Sequence, residues 1–407
     1  MAEFTEKFYQ DAYAVEIDAE VLSCERAAQG YAVILSDTVF YPEGGGQPAD
    51  RGVLRWQAAG GGREFRETAV LDVQRLADGR IVHLCREAVP AAHAVHGRID
   101  WARRFDFMQN HSGEHILSGL VHEALGYENV GFHMGELTTI DLSGPMDWAQ
   151  LMELERRANE AVCANLPVGV SFPNEEALRE LPYRSKKELL GQVRIVTIPG
   201  VDACACCGMH VARTGEIGVI KCFSLMNYKG GVRIEMACGA RALREIERRV
   251  DEGLALSRLL AASPGELETA VRRIREESLE KDHRIGELKQ RGFEAKAAAL
   301  PEGRPLALLF EEGLTPVDTR RLCELLLARN RGTVAVVLSR REDGWYYCAG
   351  SRSVDMRAGA GKLNRALGGR GGGSREMIQG GWSADEHRIR EVLEQEFGGS
   401  QKDAAEE

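Results

Sequence analysis

Residues 1–98 alternate short apolar, β-branched runs such as YAVIL (31–35) and RIVHL (80–84) with glycine and proline turns. This period-two pattern predicts a small β-barrel or open sheet. From about Trp101 the period changes: Ile116, Leu117, Leu120, Val121 and Leu125 recur at helical spacing and stop at Gly126, a C-terminal cap. A second helix is predicted over about 147–165, ending before Pro167. Strands follow at 193–198 (VRIVTI), 217–223 (IGVIKCF) and 232–237 (VRIEMA), the last two joined as a hairpin through Asn227–Gly231. From Ala240 to about Ala299 apolar residues recur every three or four positions in a charged segment, interrupted at Ser263-Pro264-Gly265-Glu266. That tetrapeptide is a capping box with proline at the first helical position, so two long helices meet there. Finally, 305–395 alternates strand-like PLALLF and TVAVVL with helical 317–330, 354–367 and 384–397.

The pattern describes an α+β multidomain chain with an N-terminal β-barrel (1–98), an α+β domain (99–240), a long helical linker (241–299), an α/β module (300–398) and a disordered acidic tail (399–407). At 407 residues there is room for two or three cores. The net charge, 52 − 62 = −10, argues against indiscriminate binding to nucleic acid or anionic membranes. One stretch opposes it: between Thr319 and Arg375 twelve Lys or Arg stand against four acids, an excess of +8 that suits phosphates. MAEFTEKFYQDAYA lacks the cationic-then-apolar pattern of a signal peptide, and no apolar run approaches the roughly 18 residues of a membrane span. A cytoplasmic protein with no membrane partner is expected, in which ten cysteines form no disulfide framework. Seven are scattered singly among apolar neighbours, whereas Cys204, Cys206 and Cys207 crowd together before His210.

HSGEH sets His111 and His115 four residues apart, on one face of a helix, where two imidazoles can grip one ion. Cys206 and His210 repeat the spacing, and three His with one Cys suit tetrahedral Zn²⁺. Spacing does not choose the cysteine, because Cys204 and Cys207 lie in reach of the same loop. His111-x-x-Glu114-His115 also fits the H-x-x-E-H pattern of inverted zinc peptidases, but these need a third carboxylate ligand, and the downstream partner here is Cys-x-x-x-His. In SDTVFYPEGGGQPADRG (36–52) the glycines Gly44, Gly45 and Gly46 permit close backbone approach, and Gln47 carries both an amide donor and an acceptor. The segment reads either as a tight turn or as a polar recognition loop.

DTVFYPEGGGQPADRG, RRFDFMQNHSGEHILSG and CCGMHVARTGEIG with VRIEMACG stand in the order seen in alanyl-tRNA editing proteins (AlaX) and the editing half of alanyl-tRNA synthetase. ALGGRGGGSREMIQGG (366–381) resembles the glycine-rich end of the DHH-associated domain that closes the synthetases and the long AlaX proteins, so the resemblance covers nearly the whole chain. It implies that 99–240 is a zinc-containing editing domain and that one Zn²⁺ per chain is held by His111, His115, Cys206 and His210. It further implies a DHH-associated module at 300–398 that contacts tRNA through Arg370, Gly371, Gly372, Gly373 and Arg375.

The implied activity is trans-editing: hydrolysis of the ester joining serine, or glycine, to tRNA for alanine. A pocket selecting alanine rejects such close analogues by only roughly 10–200-fold. Where the family carries a polar serine-discriminating residue this chain reads GFHMG, which leaves His133, Thr138, Thr139 or Gln47 for that role. Gly44, Gly45, Gly46, Asp50 and Thr138 are the expected substrate contacts, with Gln47, Glu114 and His133 as catalytic candidates. Glu114 reads either as a partner behind the metal or as part of a solvated helix face. No segment resembles an aminoacylation domain, so a free-standing hydrolase and not a ligase is expected. The alternative is a non-catalytic tRNA-binding protein with a structural zinc. AGAGKL (358–363) fails as a phosphate loop, with Met356 in place of its first Gly and Leu363 in place of Ser or Thr. The linker stripe, including Leu243, Val250, Val271, Ile274, Ile285 and Leu288, suits an intrachain hairpin or a homodimer.

Overall fold

The computed structural model describes residues 6–58, 64–185 and 192–399; most of the expected tail lies outside them. The chain forms two compact units, 1–256 and 257–407.

After a short helix α1 (Lys7–Gln10), six strands close a barrel: β1 (Glu16–Arg26), β2 (Tyr31–Leu35), β3 (Gly52–Gln57), β4 (Phe65–Arg75), β5 (Ile81–Cys85) and β6 (Ala94–Ile99), in the order β1-β2-β5-β4-β3-β6. Inward residues alternate along each strand, Val33 and Leu35 on β2 and Leu54 and Trp56 on β3 being buried. Closure leaves no free sheet edge here.

His83 of β5 is the polar member of this interior, its Nε2 2.8 Å from Thr38 Oγ1 and its Nδ1 3.2 Å from Val33 O. Burial pushes its pKa down to about 4. The unfolded chain then takes up the proton first, so stability is lost as pH falls from the unfolded value near 6.5 towards 4. Between pH 7 and 5 this residue should remove about 2 kcal/mol. Urea unfolding of His83→Gln should show a pH loss smaller by that amount; parallel losses in both proteins would exclude the assignment.

The second half of this unit is built on α2 (Trp101–Leu125), capped by Asp100, which accepts from Arg103 N, and ended by left-handed Gly126. Arg104 fastens the helix to the barrel: it is buried, pairs with buried Asp50 and donates to Val39 O and Ala12 O. The strands β7 (Asn129–Met134) and β8 (Thr138–Leu142) and the helix α3 (Trp148–Cys163) follow. Next come β9 (Gly169–Ser171), α4 (Glu175–Glu180), β10 (Ile195–Ile198) and β11 (Asp202–Ala205), whose strands form the sheet β11-β10-β9. Finally β12 (Ile220–Tyr228) and β13 (Gly231–Cys238) complete the sheet β12-β13-β8-β7. Their turn is tighter than the sequence suggested, Lys229 and Gly230 both having positive φ between paired Tyr228 and Gly231. One apolar core runs from Phe8 and the barrel through Ile116 and Leu120 of α2 to Ile234 and Cys238.

The helix α5 (Gly239–Leu260) starts at left-handed Gly239, and α6 (Leu267–Ala299) follows the Ser263–Glu266 capping box. The second unit continues with β14 (Leu306–Glu311), α7 (Pro316–Ala328), β15 (Val334–Arg341), β16 (Gly344–Ser351), α8 (Met356–Ala366), β17 (Gly369–Gly373), β18 (Met377–Trp382) and α9 (Glu386–Phe397). Its sheet runs β14-β15-β16-β18-β17, with β14 and β15 parallel and the other pairs antiparallel. The glycine-rich segment 369–373 is the edge strand β17. AGAGKL lies within α8, consistent with its rejection as a phosphate loop. Leu243, Val250, Val271, Ile274, Ile285 and Leu288 are exposed. Among the described residues no helix is long and apolar enough to cross a membrane.

Candidate metal centre

Every residue of α2 from Phe107 to Val121 is buried, so its polar side chains must find partners inside the protein. His111 and His115 lie one turn apart, their rings 5.4 Å from centre to centre. The residue between them that faces β13 is Gly113: a Cβ there would stand 2.2 Å from Cys238 Sγ, so glycine lets the helix lie directly on the sheet. The Cys206–Gly208 loop meets the helix from the other side. Arg194 Nη1 donates to Cys206 O at 2.8 Å and Gly208 O at 2.9 Å, and Cys206 N donates to Arg194 O at 3.0 Å.

These elements bring His111, His115, Cys206 and His210 together, with one donor atom from each all within 4.8 Å of one another. Cys206 Sγ is 3.4 Å from His111 Nε2, and the His210 ring is 4.5 and 4.6 Å from those of His111 and His115. A tetrahedral zinc with ligands at about 2.0–2.3 Å has neighbouring donor atoms roughly 3.4–3.7 Å apart. Each imidazole uses its Nδ1 elsewhere: His111 on Gln47 Oε1 at 3.1 Å, His115 on Asp202 Oδ2 at 2.9 Å and His210 on Ser112 Oγ at 3.1 Å. This is how protein partners orient imidazoles around an ion, leaving Nε2 for the metal. The Nε2 of His210 is buried and makes no hydrogen bond. The donor set therefore fits a metal.

The ionisation states of Cys206 and His210 agree. Burial opposes ionisation of Cys206, but His111 and His115 outweigh it and hold the thiol well below its ordinary range. Burial pushes Cys204 up, and pushes His210 down to about 3, leaving it neutral. Cys204 shares a second cluster with His115 and Asp202. Asp202 is already engaged there, with one oxygen on His115 and the other accepting from Arg184 Nε at 2.8 Å.

The glycine motif adjoins the centre. Gly44 and Gln47 bridge across left-handed Gly45 and Gly46, and Tyr41 Oη lies 3.1 Å from Gly44 O and 3.2 Å from Cys207 O. Gln47 is fully buried, its Oε1 accepts from Met209 N at 2.9 Å, and its Nε2 makes no hydrogen bond. A Cβ on Gly46 would stand 2.6 Å from Phe132 Cδ1.

Other candidates fall elsewhere. Asp50 is committed to Arg104 and to Tyr41 N. Glu114 is buried, not on a solvated face, and accepts from Ser118 Oγ and Asn129 Nδ2, tying α2 to β7. His133 is exposed; its strand neighbour Phe132 stacks on His111 at 5.1 Å instead, as alternation along β7 requires. Thr138 is buried with Oγ1 3.5 Å from Asn110 Oδ1, and Thr139 pairs with His133 and Glu235. Arg370, Gly371, Gly372, Gly373 and Arg375 are exposed in the second unit. The local +8 is partly offset there, since Arg329, Arg331 and Lys362 pair with Glu294, Glu302 and Glu396 outside the counted stretch. Sequence reasoning missed Asp202, Ser112, Arg194, Phe132 and Gly208.

Fold and site define a multidomain α+β protein with a candidate three-histidine, one-cysteine metal centre beside a closed barrel. Residues 193–235 match the family model of the threonyl and alanyl tRNA synthetase second additional domain, and residues 4–103 that of the class II (A) tRNA synthetases. The alanine–tRNA ligase of Pyrobaculum neutrophilum is 32% identical over 415 residues, spanning 95% of this chain and 44% of the ligase. The alanyl-tRNA editing protein AlaX-L of Pyrococcus horikoshii is 28% identical over 408 residues, spanning 95% of this chain and 96% of that protein. A crystal structure of the C-Ala domain of the Aquifex aeolicus alanyl-tRNA synthetase is 25% identical, covers 23% of this chain and 91% of its own, and has a TM-score of 0.22. The chain thus spans less than half the length of the ligase and nearly all of the editing protein. Its similarity is to alanyl-tRNA editing proteins and to the matching part of alanine–tRNA ligases.

Proposed function

We propose that this protein is a trans-editing hydrolase that removes serine, and glycine, from mischarged tRNA for alanine, with one Zn²⁺ held by His111, His115, Cys206 and His210. The observation that carries the reading is the buried donor set itself: three imidazoles with Nδ1 engaged and one thiolate, set against the glycine turn and Gln47. His111, His115, Cys206 and His210 would hold the ion, which would supply positive charge and orientation beside the ester. Gln47 fixes the His111 ring through Oε1 and keeps its Nε2 amide as a donor for the serine moiety or the terminal ribose. Asp202 and Ser112 fix the other two rings. Water adds across the ester, releasing the free amino acid and the tRNA hydroxyl.

The same reading makes 99–240 the editing domain and 300–398 a DHH-associated module whose exposed Arg370–Arg375 edge meets tRNA in the cytoplasm. Homodimerisation through the linker helices or through the C-terminal module belongs to it, and light scattering decides that part.

Incubation with serine-, glycine- and alanine-charged tRNA for alanine tests the activity. Serine release with alanine retained is expected. Binding of all three without release would make the protein a tRNA binder with a structural zinc. Gln47→Ala should lower serine release about 10–100-fold, through the ring it orients and the donor it removes, with the barrel still folded by circular dichroism. Unchanged turnover would reduce the glycine segment to a turn.

A further inference from the structure

Arg194 stands just before β10 and is only 4% exposed. Its Nη1 braces the Cys206–Gly208 loop, but its Nε is buried and makes no hydrogen bond. Arg104 and Arg184 are answered by Asp50 and Asp202, whereas no described carboxylate lies within ion-pair distance of Arg194. Two carbonyls occupy only part of a guanidinium's five N–H donors, and a cation taken out of water costs several kcal/mol unless an anion answers it. The Tyr9 ring lies 5.5 Å from its Cζ, and the neighbouring Cys207 is exposed. A buried arginine beside the centre, with no carboxylate partner among the described residues, calls for an anionic ligand.

In an aminoacyl-tRNA the anion nearest the ester is the 5′-phosphate of the terminal adenosine. We propose that Arg194 binds that phosphate, offering Nε and Nη2 as a fork to two of its oxygens while Nη1 holds the metal-binding loop. The residue thereby couples the seating of the terminal nucleotide to the position of Cys206. This rests on the deacylase reading of the same centre, and its test is separable from it.

Calorimetric titration compares adenosine 5′-monophosphate with adenosine on wild-type protein, Arg194→Gln and Arg194→Lys, with metal content measured for each. Wild-type protein should bind the monophosphate about ten-fold more tightly than the nucleoside. Arg194→Gln should bind the two alike. Should the glutamine variant lose metal, the lysine variant decides, because it keeps the charge but not the fork and must show a reduced preference. Equal binding of both ligands by wild-type protein, or an undiminished preference in the deciding variant, overturns the proposal and leaves Arg194 as a brace of the loop. Serine release is measured separately: phosphate preference without any release would keep this site and remove the deacylase reading.

Discussion

His115→Ala and Cys206→Ala should each lose nearly all bound metal after dialysis, whereas Cys204→Ser and Cys207→Ser should keep it. The donor atoms of buried His111, His115 and His210 and half-buried Cys206 form one cluster, and removing any of them would leave a tetrahedral ion one ligand short. Cys206 supplies the set's only negative charge, since nearby histidines hold its thiol well below the ordinary range, while burial pushes that of Cys204 up and Cys207 is exposed. Asp202→Asn should fall between these extremes. It leaves His115 in place but weakens the acceptor on its Nδ1 and breaks the pairing with Arg184, a change that typically weakens metal affinity about 10–100-fold. Metal analysis after dialysis and competition with a chelator read both effects. Full occupancy in both His115→Ala and Cys206→Ala would refute the ligand assignment.

The two pairs of the cluster were legible from their spacing, with Cys206 picked out over Cys204 and Cys207 only by the family resemblance. Their supporting partners were not, since Gln47, Asp202 and Arg194 arrive from other strands and loops and become neighbours only when the barrel, α2 and the β10–β11 hairpin are assembled. Asp202 opens the cysteine-rich stretch, yet a single acidic residue at a strand start carries no spacing signal. Glu114 stood open between a partner behind the metal and a solvated face, because a charged helical residue is normally solvated and its burial depends on Asn129, fifteen residues on. GFHMG held its answer in the period of two: once β7 is a strand, Phe132 and His133 must face opposite ways.

The second unit shows the converse limit. Its helices were read from their apolar period, but GRGGG lacks the branched and aromatic residues that mark a strand. It is a strand because β18 offers a ladder from Trp382 to Ile378, and because side chains would not fit against it. A Cβ on Gly369 would meet Trp382 Cδ1 at 2.6 Å, and one on Gly371 would meet Tyr347 Oη at 2.3 Å. Tyr347 and Trp382 stack at 3.7 Å, and both bond to Asn364 Oδ1. The glycines thus serve close packing within the sheet as well as any contact outside it.

Gly208→Ala should disable the centre without touching a ligand. An added Cβ would lie 2.0 Å from His111 Cε1, 2.3 Å from its Nδ1 and 3.2 Å from Gln47 Oε1. Neither neighbour can yield cheaply: the His111 ring is held by Gln47 and stacked on Phe132, and the loop backbone is clamped through Cys206 O and Gly208 O by Arg194. Overpacking of this kind costs about 1–3 kcal/mol, and displacing the ring also breaks its bond to Gln47, so metal affinity should fall by at least about ten-fold. Gly372→Ala is the matched control, since nothing lies within 4 Å of its added Cβ. Melting temperature and metal content should drop in Gly208→Ala and stay at wild-type values in Gly372→Ala; a Gly208→Ala protein that keeps both would mean that the loop and the His111 ring do not meet as closely as the 2.0 Å approach requires.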